Sequence, residues 1–210
     1  MKKVLFVALL AFGTLIHAQK NVYESSKFDI LSKDHQLLAI IPFFTHLELE
    51  ENISEDESQK LEEKEGYAVQ DALETYFGLG KKKKKFTVDF QNTENTNAIL
   101  AQNNITYTNI DTYTIKELSE ILKVDAIISG NLDINILLSK GIPAEFSFMD
   151  YILGDANYGR IGIKISDGKT GKLLWKYENE INKKSGRNTS DLIDKMMKKL
   201  VRQFPYDKER

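Results

Sequence analysis

Residues 122–138 read LKVDAIISGNLDINILL, and this stretch constrains the fold more than any other. Ala126, Ile128, Gly130, Leu132, Ile134 and Ile136 form one apolar row at the two-residue period of a strand. The other row, Ile127, Ser129, Asn131, Asp133 and Asn135, starts apolar and turns polar. Such a strand begins buried on both faces and ends with one face in water. Gly130 predicts a close backbone approach or a bulge.

The chain before this strand supplies material to pack on it. Residues 37–44, LLAIIPFF, form an apolar run whose length and β-branched content predict a central strand. Pro42 has no N–H for a ladder, so pairing should finish near it. Ser54 and Glu57 make a capping box for a helix with Leu61, Ala68, Val69, Ala72, Leu73, Tyr76 and Phe77 on one face. Gly78 or Gly80 should end it. Phe86, Val88 and Phe90 alternate as a further strand, and residues 95–103 read as a short helix with Ile99 and Leu100 inward. A second capping box, Thr114 with Glu117, opens the helix that feeds residues 122–138. Residues 28–31, FDIL, read as a short extra strand.

After the organising strand, residues 139–159 form a long connection containing Pro143 and the apolar residues Phe146, Phe148, Met149, Tyr151, Ile152 and Leu153. A connection of that length within a compact domain points to function or disorder. A hairpin follows: Ile161, Ile163 and Ile165 share one face, DGKTG supplies the turn, and Leu173, Trp175, Tyr177 and Ile181 return. Thr189 or Ser190 should cap a last helix with Leu192, Ile193, Met196, Met197, Leu200, Val201 and Phe204 as its apolar stripe. Trp175 and the paired methionines read as core. The expected fold is α/β: one domain, a mixed sheet of about five strands with parallel pairing early and an antiparallel hairpin late, and helices packed on it.

Residues 1–18 stand apart. Lys2 and Lys3 precede an apolar core of about a dozen residues that ends in Ile16-His17-Ala18, the pattern of a secretory signal peptide. Cleavage would leave about 192 residues starting at Gln19. The organisation read from this is signal peptide 1–18, N-terminal extension 19–35, α/β domain 36–204 and tail 205–210. The expected location is outside the cytoplasm of a bacterium: the periplasm, the outer membrane or the exterior. With no cysteine, disulfides, thiol catalysis and lipid attachment at an N-terminal cysteine are excluded. Loss of Lys2 and Lys3 takes the net charge from −2 to about −4, unlike a basic nucleic-acid binder. No later apolar run is long enough to be a spanning helix.

The run LLAIIPF, the junction LSEILKVDAIISGNLDI and the hairpin IGIKISDGKTGKLLWKYENEI resemble a bacterial envelope superfamily. That superfamily includes the curli-secretion channel lipoprotein, the lipoprotein activators of penicillin-binding proteins and the amino-terminal domain of the Tol-system propeller protein. The resemblance covers about residues 36–204 and rests on packing and turn residues. It implies a non-enzymatic assembly or accessory factor that works through protein–protein contact. It also implies a subunit of a ring-shaped homo-oligomer as an alternative. Residues 139–159 lack the sustained alternation of a membrane-inserted hairpin, which argues against a pore.

No residue pattern argues for catalysis, a cofactor or a metal. The GLGKK segment lacks the spacing of a phosphate loop and follows a helix rather than a strand. His35 and His46 flank the first strand at opposite ends, too far apart to share a metal, and read as surface histidines. Asp125, Asp133 and Asp155 are carboxylates to which spacing ties no histidine or second acid. The envelope hydrolase or glycan-binding reading therefore rests on a site at the carboxyl ends of the central strands, with Asp133 in it. The predicted partner surface is Phe146, Phe148, Met149, Tyr151, Ile152 and Leu153, engaging an envelope protein complex. Lys81, Lys82, Lys83, Lys84 and Lys85 are the candidate anion contact, against the plainer reading of a solvated loop at a helix end.

Overall fold

A computed structural model describes residues 21–48, 53–82, 85–135, 137–140, 158–182, 184–199 and 203–208. Seven strands form one sheet: β1 Val22–Glu24, β2 Leu37–Ile40, β3 Phe44–Leu47, β4 Asp89–Phe90, β5 Ala126–Ile134, β6 Gly159–Asp167 and β7 Leu173–Ile181. Their order is β1-β7-β6-β5-β2-β4, with β3 also paired to β5. Pairing among β2, β3, β4 and β5 is parallel; β5-β6, β6-β7 and β7-β1 are antiparallel. The mixed α/β expectation holds. The sheet gains strands because the LLAIIPFF run splits in two and residues 22–24 add an edge.

That split corrects the expectation that pairing ends at Pro42. Leu38 pairs with Ala126 and Ile40 with Ile128, then Phe44 pairs with Asn131 and Leu47 with Ile134. The register therefore slips by one residue across positions 41–43, as a bulge does. Pro42 interrupts the ladder, but the strand resumes beyond it. Phe43 N instead donates to Gly66 O of the long helix at 3.3 Å. Gly66 is required for that approach, since a Cβ there would lie 2.2 Å from Phe43 O. Gly130 plays the matching part in β5: a Cβ would lie 2.0 Å from Gly162 O and 2.3 Å from the Phe43 ring.

Among the described residues, five α-helices pack on the sheet: α1 Phe28–Leu31, α2 Glu55–Lys82, α3 Thr93–Gln102, α4 Ile115–Leu122 and α5 Thr189–Lys199. Residues 28–31 form a helical turn rather than the expected strand, because Leu31 N and Ser32 N bond back to Lys27 O and Phe28 O while Phe28 is buried. Helix α2 does not stop at Gly78 or Gly80. Gly80 is tolerated because its bare backbone receives the Phe86 ring, 2.2 Å from where a Cβ would sit. Residues 86–88 lie outside the strand expected there; Phe86 makes an isolated bridge to Asp207. Ser54 caps α2 by accepting from Glu57 N, and the Thr114–Glu117 box is complete. At α5 the cap is Asn188, which accepts from Asp191 N at 2.9 Å, rather than Thr189 or Ser190.

One sheet face is covered along its length. Leu38, Ile40, Phe43, Ile128, Leu132, Ile161, Ile163, Ile165, Trp175 and Tyr177 pack with α2 (Val69, Leu73, Phe77) and α5 (Leu192, Ile193, Met196, Met197). The Trp175 indole donates to Gln203 O at 3.0 Å. In β7 the register slips between Ile165 and Ser166, so Leu174 is buried beside Trp175 and Leu173 turns outward. The other face has a smaller core of Ala39, Ile41, Leu100, Ile105, Ile110, Leu118, Leu122, Val124 and Ile127. This core ends at Ile127. Beyond it β5 presents Ser129, Asn131 and Asp133, which are partly or fully exposed. The apolar-to-polar turn in that row is thus where the cover of α3 and α4 stops.

Candidate functional site

The uncovered half of the sheet lies toward the carboxyl ends of β3 and β5. The strand registers set His46 beside Asp133, Asp133 beside Arg160, and Arg160 beside Glu180, a row of alternating charge type across four strands. All four are exposed. The next row is Phe44, Asn131, Gly162 and Glu178, and behind it stand Ser129, Lys164 and Lys176. Asn131 Nδ2 donates to Asp133 Oδ2 at 3.0 Å, fixing that carboxylate on the face. Lys176 and Glu178 pair at 2.6 Å. The bond from Lys176, aided by the charges of Lys176, Arg160 and Lys164, outweighs partial burial and holds the Glu178 carboxyl below its ordinary range. His46 Nδ1 lies 3.6 Å from Glu62 Oε1.

At the end of this face a cleft of about 310 Å³ is lined by His46, Glu48, Asp133, Tyr158, Gly159 and Arg160. The described strands that precede and follow the 141–157 connection, its two roots, meet at this edge, where Ile134 pairs with Gly159. One root is held by Glu65, a fully buried carboxylate of α2 that accepts from Ser139 N at 3.0 and 3.1 Å and from the Ser139 hydroxyl. The other is held by Tyr158 N, which donates to Ile181 O at 2.7 Å. The outer edge of β3 is closed to strand addition, because Thr45 N donates to the Tyr107 hydroxyl and Leu47 N to Glu62 Oε1.

The predicted contact residues Phe146, Phe148, Met149, Tyr151, Ile152 and Leu153 fall outside the described residues, as do Asp155, Lys83 and Lys84. Lys81 and Lys82 are the last residues of α2. Lys85 differs from the anion contact expected of it: its ammonium pairs with the buried Asp207 carboxylate at 3.0 Å. Burial pulls the Lys85 pKa down, but Asp207 and Tyr76 together raise it above its ordinary value. It ties the start of the 86–90 segment to the tail.

His35 is the largest correction. It is no surface histidine: its side chain is 6% exposed. Nδ1 lies 2.6 Å from the Tyr206 hydroxyl and Nε2 2.9 Å from Asp167 Oδ1. Asp167 also accepts from Thr170 N at 2.7 Å and from the Thr170 hydroxyl. Burial pushes the Asp167 carboxyl up, yet the donors from Thr170 and His35 outweigh it and hold it below its ordinary value. Burial, with the charges of Asp167 and Asp125, pushes the Tyr206 hydroxyl well above its ordinary range. Asp125 is also engaged, Oδ2 accepting from Gln36 N at 2.8 Å and Leu37 N at 2.9 Å. These groups join the start of β2, the hairpin turn and the chain's tail. No local signal links positions 35, 167 and 206, so sequence reasoning missed the cluster; the DG turn and the acid before β5 were its only visible parts.

No protein-family model and no curated protein matches the chain. Among solved structures, it is similar to lipoprotein GNA1162 from Neisseria meningitidis, with a TM-score of 0.46 and 13% identity over 80% of this chain and 96% of that one. The LpoB C-terminal domain from Escherichia coli gives a TM-score of 0.36 and 8% identity over 74% and 95%. A PelC dodecamer from Paraburkholderia phytofirmans gives a TM-score of 0.31 and 9% identity over 80% and 86%. Scores and identities this low carry no functional information.

Proposed function

We propose that this protein is an exported bacterial envelope protein without enzymatic activity, acting as an assembly or accessory factor by protein–protein contact. The observation that carries the reading is the half-open sheet. Its polar rows end at the edge where both roots of the 141–157 connection are pinned. We assign the contact to Phe146, Phe148, Met149, Tyr151, Ile152 and Leu153, which lie in sequence between these two roots. An apolar centre with a polar rim is the common anatomy of a protein interface. The leader-like residues 1–18 support export. At the opposite end of the sheet, the carboxylates of Asp125 and Asp167 and both nitrogens of His35 are committed to holding segments together.

The test is capture from native envelopes after mild crosslinking, comparing the wild-type protein with a variant carrying Ser at the six apolar loop positions. Specific enrichment of one envelope complex, lost in the variant, is expected. Unchanged enrichment with the variant would remove the loop from the contact. A second reading has one observation in its favour: the cleft holding Asp133, His46, Glu48 and Arg160 suits a polar ligand such as a glycan. Glycan-array binding that Asp133→Asn abolishes would favour it over the first.

A further inference from the structure

A small pocket lies where α2 meets the end of α3 and the segment after it. Its volume is about 160 Å³, below the about 300–1,000 Å³ of small-molecule sites, so it suits a single head group. Its apolar lining is Pro42, Leu100, Ile105 and Ile110. Tyr67 and Tyr107 line it as well, with ring centroids 6.3 Å apart and planes tilted by 40°. Tyr107 is held from two sides. Its hydroxyl accepts from Thr45 N at 2.9 Å, and its ring rests on the bare backbone of Gly66, 2.8 Å from where a Cβ would lie. Phe44 of the open sheet face packs on Tyr107 with centroids 6.2 Å apart, so the pocket borders that face.

The charge in this pocket has one sign. Glu63 is the one charged residue of its lining among the described residues, and no hydrogen bond or ion pair engages its carboxylate there. Lys60 and Lys64, its neighbours on α2, are exposed and neither pairs with it. The other polar groups are spent. Asn97 exchanges two 3.0 Å bonds with Gln70, Thr106 bonds to Asn109 and Thr108, and the adjacent Glu62 accepts from Leu47 N. Burial, then the charge of Glu63, pushes the Tyr67 hydroxyl above its ordinary range. At Tyr107 burial outweighs the bond from Thr45, and Glu62 and Glu63 raise the hydroxyl further. A cation is attracted both to a carboxylate and to the face of an aromatic ring within about 6 Å, and more strongly where apolar walls exclude water.

We infer that this pocket binds the head group of an organic cation, an alkylammonium or alkylguanidinium, with Glu63 as counter-ion and the Tyr67 and Tyr107 rings against its charge. A free amine and the side chain of a Lys or Arg on another protein share this chemistry. The site stands independently of the loop contact proposed above, because the purified protein alone tests it.

The experiment is an amide-resolved NMR titration with ethylguanidinium, choline and the neutral choline analogue 3,3-dimethylbutan-1-ol. Both cations are expected to give saturable shifts at the amides of residues 63–67, 97–101 and 105–110. The neutral analogue should bind at least about tenfold more weakly, because it keeps the shape and loses the charge. Glu63→Gln should weaken both cations about tenfold. Its urea midpoint should not move, since Glu63 is partly exposed and unpaired. Tyr67→Leu should weaken them severalfold, whereas Tyr67→Phe keeps the ring and should stay close to wild type. A capped Gly-Arg-Gly peptide that displaces choline names a protein side chain as a source; one that does not leaves the free amine. No saturable shift, equal binding of the neutral analogue, shifts elsewhere on the protein, or unchanged affinity in Glu63→Gln would overturn the site.

Discussion

The two ends of the sheet treat polar groups in opposite ways. At the amino ends of β2 and β5, the carboxylates and the histidine are buried or half-buried and saturated by protein partners. At the carboxyl ends of β3 and β5, Asp133, His46, Arg160 and Glu180 stand exposed in a cross-strand row. The same residue types thus do different work. Inside, a charge is tolerated only because donors surround it, and removing one partner leaves the other stranded. Outside, water serves each charge, so the row adds little to stability and remains free to meet a partner. The boundary falls between Ile127 and Ser129, where α3 and α4 run out.

The largest effect should come from the residue that lets both halves coexist in one strand. Gly130→Val places side-chain atoms against Gly162 O and the Phe43 ring, which lie 2.0 and 2.3 Å from an added Cβ. Neither backbone nor buried ring can give way cheaply. A loss of about 3 kcal/mol or more is expected from urea denaturation. A loss under about 1 kcal/mol would mean that the Phe43 bulge is plastic.

Next comes the inner cluster. His35→Ala removes one partner from both Asp167 and Tyr206 in a buried setting, and about 2–3 kcal/mol should be lost. Asp167→Asn should cost about 2 kcal/mol at neutral pH, since it takes the charge from bonds to His35 and Thr170. Its pH dependence has a definite sign. The folded carboxyl lies below its ordinary value of 3.8, so the unfolded chain takes up the proton first as pH falls. The stability advantage of wild type over Asp167→Asn is full above the ordinary carboxylate range. It shrinks as pH drops through 3.8 and is lost below the folded value. A gap that widens in acid would contradict the hydrogen-bonded carboxylate.

How far these features could be read in advance follows the same division. Local signals worked: the two capping boxes, the hairpin with its DGKTG turn, and the apolar row of β5 are written in consecutive residues. The change from Ile127 to Ser129 even foretold where one face opens. What failed depended on distant partners. His35 looked like a surface residue because Asp167 and Tyr206 are 132 and 171 positions away. Gly80 looked like a helix stop because the ring that needs its bare backbone arrives later, at Phe86. Pro42 does break the ladder, but β5 offers nine residues of partner strand, so pairing resumes beyond it. Of the candidate sites, Asp133 sits where a carboxyl-end site was expected, whereas Lys85 turned out to be held by Asp207.

The smallest effect separates the two ends most sharply. Asp133 has one described side-chain donor, Asn131, and stands in water between His46 and Arg160 on the neighbouring strands. Asp133→Asn keeps the shape and removes the charge. If the row serves recognition rather than folding, the urea midpoint should move by less than about 0.5 kcal/mol in free energy, against about 2 kcal/mol for the same change at Asp167. The pair of variants is thus a controlled experiment: one substitution, two ends of one sheet. A cost at Asp133 near that at Asp167 would mean that the open row is a structural element. A negligible cost, together with weakened capture of the envelope partner, would assign its charge to the contact.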